Sequence, residues 1–480
     1  MKAIQDSDFR HMVRLNVLNQ ALRSKLTAGL IYKLIIREIG KEAEEYSHVS
    51  LYRERLYMLE NLAMEIARGF SQGRISRQYL VRMFDVFFAG IPEWKKKRAE
   101  RAGVYDSTPL FITLSPTQNC NLQCKGCYAG AGEGKKPTLS FDTVDRILSQ
   151  KKELWGSFFT TISGGEPMVY RDNGKTILDV FEKHHDQFFL MYTNGTLLNK
   201  DAARRMAELG NVTPAISVEG FEEETDDRRG KGVYKKILQA MENLREAGVM
   251  FGISMTATNE NADLLLSPEM IDFWMEQQGA SYAWMFQYMP IGRGLTLDLM
   301  VPPEKRVELY NRARDLIYND RRFIVDFWNN GPLTRGCISG GRDWGYFYID
   351  WNGNAAPCVF APYYNENALQ AFEEGRTLDD IRNCDLFKGI REWQHEYGYG
   401  KPLKEVENWI APCPVRDNHD CFCQIRDQAQ AEPMDEYAEL AMEDEEYKQG
   451  LTEYGQKVKS LTRDLWHKHY LRTDADRETS

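Results

Sequence analysis

The sequence predicts an α/β protein built around an open or partial (β/α) barrel, and three observations point there. Beyond residue 110, six short β-rich runs alternate with amphipathic stretches. The runs are LFITLS (110–115), SFFTTIS (157–163), QFFLMYT (187–193), TPAISV (213–218), VMFGISMTA (249–257) and SYAWMFQYM (281–289). The stretches between them, such as SFDTVDRILSQKKEL, NKDAARRMAELG and VYKKILQAMENLREAG, carry apolar residues three and four apart, and the last two stop at Gly210 and Gly248. Strand–helix units in series imply parallel strands joined by helical crossovers, since parallel neighbours cannot share a tight turn. In such barrels the reactive groups stand at the C-terminal ends of the strands.

The remaining elements follow in chain order. Residues 1–104 read as a helical N-terminal extension, with LTAGLIYKLIIREIGKEAEEY and LYRERLYMLENLAMEIARGF as amphipathic helices. RQYLVRMFDVFFAGIPEWKKKRAER adds an apolar stripe and a basic cluster, with a break expected at Gly90 and Pro92. This extension holds 19 Lys/Arg against 12 Asp/Glu, whereas the remainder holds 42 against 59. Such a basic segment is either a solvated helical face or a contact with an anionic membrane surface or an acidic partner. Residues 105–325 form the expected barrel and 326–430 a small Cys-rich α+β unit, in which GYFYIDWNGNAAPCVF (345–360) reads as a hairpin turning at Asn352-Gly353. From 431 to 480 an acidic helical tail is expected, most simply as a solvated helix.

Composition bounds the function. With 480 residues, 42 % of them apolar, the chain can build two or three packed domains. It has no run of about 18 uncharged apolar residues, hence no expected transmembrane helix. Its N-terminus, MKAIQDSDFRHMVRLNVLNQ, lacks the features of a secretory signal. The nine cysteines are an odd count and lie in clusters, which favours a reducing cytoplasm with thiolates serving metals, at most peripheral at the inner face of the membrane. A net charge of −10 argues against nucleic acid as partner.

The densest cluster, SPTQNCNLQCKGCYAG (115–130), places Cys120, Cys124 and Cys127 just after the first strand, at the barrel mouth. Three thiolates leave a four-ligand iron or zinc site one ligand short, and an open iron is a place for chemistry. This CxxxCxxC spacing, with aromatic Tyr128 beside the last cysteine, resembles the signature of the radical S-adenosylmethionine superfamily. SGGEP (163–167) at the second strand, YTNGT (192–196) at the third and SVEG (217–220) at the fourth resemble further words of that family in the same order. The resemblance covers about residues 108–320 and implies a partial (β/α)6 TIM barrel. It also implies a [4Fe–4S] cluster held by the three cysteines, with S-adenosylmethionine chelating the open iron. One-electron reduction of the sulfonium then yields a 5′-deoxyadenosyl radical that abstracts hydrogen from an unactivated C–H bond. By the same resemblance Tyr128, Ser163, Gly164, Gly165, Glu166 and Pro167 border the cofactor, Glu166 either accepting from it or buttressing the turn. Asn194 either lines the site or serves the turn, Ser217 and Glu219 meet the ribose or the amino-acid end, and Arg229, rivalled by Arg228, pairs with the carboxylate. No catalytic residue is assigned. A flavodoxin- or ferredoxin-type reductant is implied as electron source.

A second group of cysteines resembles the SPASM/twitch extensions of that superfamily, which bind auxiliary [4Fe–4S] clusters. The chain lacks the longer cysteine array of a full SPASM extension, so one auxiliary cluster is expected, on Cys337, Cys358, Cys413 and either Cys421 or Cys423; a structural zinc or a three-cysteine cluster is the alternative. Cys384 is expected in a core. In WMFQYMPIGRG (284–294), Tyr288 is either a radical relay or an aromatic core residue, and Arg293 a group for an anionic part of the substrate. The expected substrate is a peptide or a lipid-like molecule, oxidised, cross-linked or extended at carbon. The alternative is an iron–sulfur electron carrier or scaffold without cofactor turnover.

Overall fold

The computed structural model describes residues 49–101, 108–132 and 134–471. The expected helix at 26–46 lies outside them. Two helices, α1 (Val49–Ser71) and α2 (Arg77–Glu100), precede the sheet. Seven strands then follow in sequence order across one sheet, each parallel to the last: β1 (Phe111–Leu114), β2 (Phe159–Ile162), β3 (Phe188–Thr193), β4 (Val212–Val218), β5 (Gly252–Ala257), β6 (Ala283–Gln287) and β7 (Ile324–Asp326). The helices α3 (Phe141–Trp155), α4 (Ile177–Lys183), α5 (Lys200–Leu209), α6 (Glu222–Arg229), α7 (Val233–Ala247) and α8 (Pro303–Tyr318) lie between them. Singly wound parallel strands curl toward a barrel, and the sheet stays open, so the fold is a partial (β/α) barrel. All six expected strands form within two or three residues of their expected ends.

Four strands extend the sheet beyond the six expected units. β7 extends one edge, pairing Ala283 with Ile324. At the other edge the expected hairpin forms from β8 (Tyr348–Ile349) and β9 (Asn354–Ala356), and β8 lies parallel to β1, pairing Thr113 with Tyr348. β10 (Glu366–Asn367) completes ten strands. These additions carry strands of only two or three residues, too short for a period of two to register in the sequence.

Three expectations need correction. α2 does not break at Gly90 and Pro92 but runs through both. A side chain at Gly90 would collide with the Phe158 ring, Trp94 is buried edge-on against Trp344, and these contacts outweigh the roughly 3–4 kcal/mol that a Gly and a Pro cost a helix interior. Nor is the described part of the basic extension a solvated arm. Tyr79 donates to Val212 O (2.8 Å), Arg82 to Glu208 O, Asn61 to Ile317 O (2.8 Å), and Arg98 and Arg101 pair with Asp343 and Asp379. α2 thus lies across the N-terminal ends of the strands and seals the barrel floor. Finally, the acidic tail is docked, not solvated. α9 (His419–Gln428), α10 (Glu436–Glu443) and α11 (Glu445–Trp466) end the described chain, and α11 buries Tyr447, Leu451, Val458 and Trp466. Its Gly455 rests on the backbone of Asp417, whose carboxylate pairs with Arg306, both side chains fully buried.

In the β8–β9 turn Asp350 Oδ1 accepts from the amides of Asn352 and Asn354 (2.8 Å each), and burial pushes this carboxyl up to about 7. The folded chain therefore holds a proton that the unfolded chain releases near pH 4, so this group's contribution to stability falls as pH rises from about 4 to 7. Asp350→Asn keeps the acceptor and removes the charge. Thermal unfolding should show the variant losing less stability than the wild type between pH 5 and pH 8.

Candidate active site

The three cysteines sit on the loop between β1 and α3, and the loop braces itself. Asn119 Nδ2 donates to Thr117 Oγ1 and Thr138 Oγ1 (3.0 Å each), the Cys120 amide donates to Gly132 O (3.1 Å), and Gln118 Nε2 donates to Ala129 O (2.9 Å). All three thiols are half-buried. Burial pushes the Cys120 thiol up to about 12, with the neighbouring Glu166, Cys124 and Cys127 adding to it. Burial also raises Cys124, an effect that Arg229 opposes. Among the described residues no three His, Cys, Asp or Glu side chains converge on a point where one metal ion would sit.

SGGEP at the end of β2 grips this loop through its backbone. The amides of Gly165 and Glu166 donate to Thr117 O (2.9 Å) and Asn119 O (2.8 Å). That approach is open only to glycine: a Cβ on Gly164, at φ +120°, would lie 2.6 Å from Thr117 O, and one on Gly165 would lie 2.6 Å from Gln118 O and closer still to Asn119 O. Tyr128 seals the same corner, its hydroxyl 2.6 Å from Ser163 Oγ. Glu166 is 1 % exposed and spends both carboxylate oxygens within the protein, accepting from the Met168 amide (3.0 Å), Thr193 Oγ1 (2.7 Å) and the Asn194 amide (2.7 Å). Pro167 opens the turn of 3-10 helix that follows.

The ends of β3 and β4 complete the wall. Asn194 Nδ2 donates to Asn121 Oδ1 (2.9 Å) and lies 3.9 Å from Cys120 Sγ. Ser217 is half-buried at the end of β4. Glu219 is 1 % exposed and receives both rivals, Arg228 (2.6 Å) and Arg229, while Arg229 Nη1 lies 3.9 Å from Cys124 Sγ. Its other oxygen, Oε2, is buried without a hydrogen-bond partner among the described residues. Tyr288 takes the core reading of its two, whereas Arg293 departs from expectation. Tyr288 is 2 % exposed and donates to Gly294 O, which makes it a packing residue. Arg293 turns away from the barrel interior onto the cysteine loop, donating to Cys124 O (3.3 Å) and Ala131 O.

The second cysteine group gathers beyond β9. Burial raises the Cys358 thiol, as do the nearby Cys337 and Cys413, and Tyr346 OH lies 3.0 Å from Cys358 Sγ. Cys421 and Cys423 stand two apart on α9 and therefore face different sides. Cys421 shares an apolar cluster with Cys337, whereas Cys423 lies 3.4 Å from His419 Nε2 on the other side. Cys384 is buried in the core, as expected. Tyr128 belongs to a cluster of half-buried rings whose grouping no motif announced, with Phe360, Phe286, Tyr192 and Phe327, and Phe360 lies 5.0 Å from buried Trp328. They come from five separate elements, and only the curl of the sheet brings them together.

A sequence model described as the radical SAM superfamily matches residues 114–264. The chain thus carries a radical SAM domain over those residues. It is 28 % identical over 296 residues to mycofactocin maturase MftC of Mycolicibacterium smegmatis, covering 60 % of this chain and 73 % of the relative. It is 27 % identical over 285 residues to an AdoMet-dependent heme synthase of Nitratidesulfovibrio vulgaris, covering 53 % and 75 %. The solved structure of anSMEcpe with bound AdoMet and Kp18Cys peptide superposes with a TM-score of 0.50 at 16 % identity, over 70 % of this chain and 98 % of that one. Radical SAM membership implies a [4Fe–4S] cluster and bound S-adenosylmethionine.

In this radical SAM barrel Gly165→Ala should unfold at lower denaturant, costing about 2–3 kcal/mol by urea titration, because the new methyl meets backbone instead of a yielding side chain. Gly174→Ala, with open space around it, should cost about 1 kcal/mol.

Proposed function

We propose that the protein reductively cleaves S-adenosylmethionine and removes hydrogen from an unactivated C–H bond of a peptide side chain. The observation that carries this reading is the cysteine loop held under the SGGEP turn at the open end of the barrel. The donor set fits the cofactors. Three half-buried thiols on one braced loop suit a cluster that gives each thiolate its own iron. The orphaned Glu219 Oε2 suits a ligand that brings its own N–H or O–H donor.

In this reading Cys120, Cys124 and Cys127 hold the cluster, and the Ser163–Gly165 edge, Tyr128, Asn194, Ser217 and Glu219 border the cofactor. Glu166 holds the turn instead of touching ligand, because its oxygens are spent. Arg229, tied to Glu219, offers its remaining edge beside Cys124 and compensates negative charge there. Bound together, cluster and cofactor supply one electron and a carbon radical able to take hydrogen from carbon. The aromatic rings keep water and stray donors away from that hydrogen transfer. Residues 326–430 form an auxiliary unit, with Cys337, Cys358, Cys413 and Cys421 as ligands and Cys423 outside the set. A flavodoxin- or ferredoxin-type protein supplies the electron.

Kinship with a maturase and the peptide-bound fold relative support a peptide substrate. The arginines of α1 and α2 that dock on the barrel floor weaken the lipid reading. The similarity to a heme synthase supports a second substrate class, a tetrapyrrole, for the same chemistry.

Anaerobically reconstituted, dithionite-reduced protein should convert S-adenosylmethionine to 5′-deoxyadenosine, and Cys124→Ala should abolish this; no 5′-deoxyadenosine from the wild type would leave an iron–sulfur carrier. Iron analysis separates the auxiliary ligands. Cys421→Ser should lower the content from about eight irons per chain toward about four, whereas Cys423→Ser should leave it unchanged.

A further inference from the structure

The segment after β6, Tyr288–Gly294, is laced into the cysteine loop more closely than packing alone requires. Its Arg293 makes three hydrogen bonds to that loop: the amide to Cys127 O (3.1 Å), Nη1 to Cys124 O (3.3 Å), and Nη2 to Ala131 O. Two of these carbonyls belong to cysteines, and the third closes the loop behind Tyr128. The neighbouring glycines make the approach possible. Gly292 sits at φ +61°, where a Cβ would lie 2.8 Å from Cys127 O and nearer still to Tyr128 O. At Gly294 a Cβ would lie 2.7 Å from the Cα of Gly126. The segment is itself anchored: Tyr288 donates to Gly294 O, and Tyr447 OH of α11 donates to Pro290 O (3.1 Å).

Chemically, three thiolates and a cluster place several negative charges next to a loop whose carbonyl oxygens also carry partial negative charge. A guanidinium is the side chain that can gather two such carbonyls in one rigid fork while adding a permanent positive charge. A lysine in its place offers one ammonium that cannot span both oxygens with the same geometry. Groups that orient metal ligands from behind in this way govern how firmly the metal is held.

We propose that Arg293 is a positioning residue for the cysteine loop: by tying Cys124 O, Cys127 O and Ala131 O to the β6 segment, it keeps the three thiols at the spacing their cluster needs. This rests on the cluster assignment proposed above. It gives Arg293 no contact with substrate and replaces the substrate-binding role expected from sequence.

The test uses reconstituted full-length protein, with Arg293→Met, Arg293→Lys and, as control, Arg204→Met on an exposed face of α5. Two readouts are taken besides activity: the change in the reduced cluster's electron paramagnetic resonance on adding S-adenosylmethionine, and the rate at which a chelator strips that signal. Arg293→Met should be stripped about ten- to a hundred-fold faster than wild type and lose most of the cofactor-responsive signal, and Arg293→Lys should fall between. The control should match wild type, and the metal-free variants should unfold within about 3 °C of metal-free wild type, as expected for a loss under about 1 kcal/mol. A Met variant with the wild-type stripping rate and signal would overturn the proposal. So would one whose metal-free form is broadly destabilised, since Arg293 would then support the fold at large. Absence of any cofactor-responsive signal in wild type would instead overturn the functional reading, and this inference with it.

Discussion

The close approach of two backbones, at the SGGEP turn and the cysteine loop, is the constraint on which the rest of the site depends. With no Cβ at positions 164 and 165, the amides of Gly165 and Glu166 reach the carbonyls of Thr117 and Asn119. Glu166, fixed there, carries the order onward through its carboxylate to Thr193 and Asn194 at the end of β3. Asn194 returns to the loop through Asn121, beside Cys120. A closed circuit of hydrogen bonds thus joins the mouths of β1, β2 and β3. Thr117, Glu166, Thr193 and Asn194 are buried, so breaking a link at any of them leaves a buried donor or acceptor unpaired.

Charge is arranged around the same loop. Burial holds the Cys120 and Cys124 thiols above their ordinary range, which makes free thiolates there costly and rewards anything that compensates them. Arg228 and Arg229 converge on Glu219 on one side, and Arg293 bridges carbonyls on another. Three guanidiniums stand against two buried carboxylates, Glu166 and Glu219, which leaves a local excess of positive charge beside three cysteines. Such a surround suits an anionic cluster. Tyr128, beside Cys127, meets Phe360, two residues from Cys358, and Phe360 packs on Phe286, so aromatic rings link the two cysteine groups, with the Tyr128 hydroxyl held at Ser163.

The ends of the chain serve the barrel's two faces in opposite ways. α2 closes the floor, far from the chemistry, with Tyr79 and Arg82 turned onto a strand end and a helix end. α11 packs against the segment after β6 and against Asp417, which joins the second cysteine region to α8 through Arg306. The reactive face is therefore braced by α11, part of a tail that the sequence reads most simply as solvated.

The sequence by itself determined the winding of the barrel and where along it the candidate site would lie. Long alternating runs with glycine stops mark β1 to β6 and their helices, and short words at strand ends mark the cysteine loop, the SGGEP turn, Asn194 and Glu219, because local spacing decides those features. Only the tertiary structure decided the partners. Gly90 and Pro92 read as a break until Phe158 and Trp94 pack the helix through them. The tail reads as solvated until Gly455 meets Asp417, and Arg293 reads as a substrate group until its guanidinium meets Cys124 O. Cys421 and Cys423 are equivalent on paper, yet a helix turns them to different sides. In each case the deciding contact joins residues far apart in the chain, where no local period or motif carries the information and only the packed geometry supplies it.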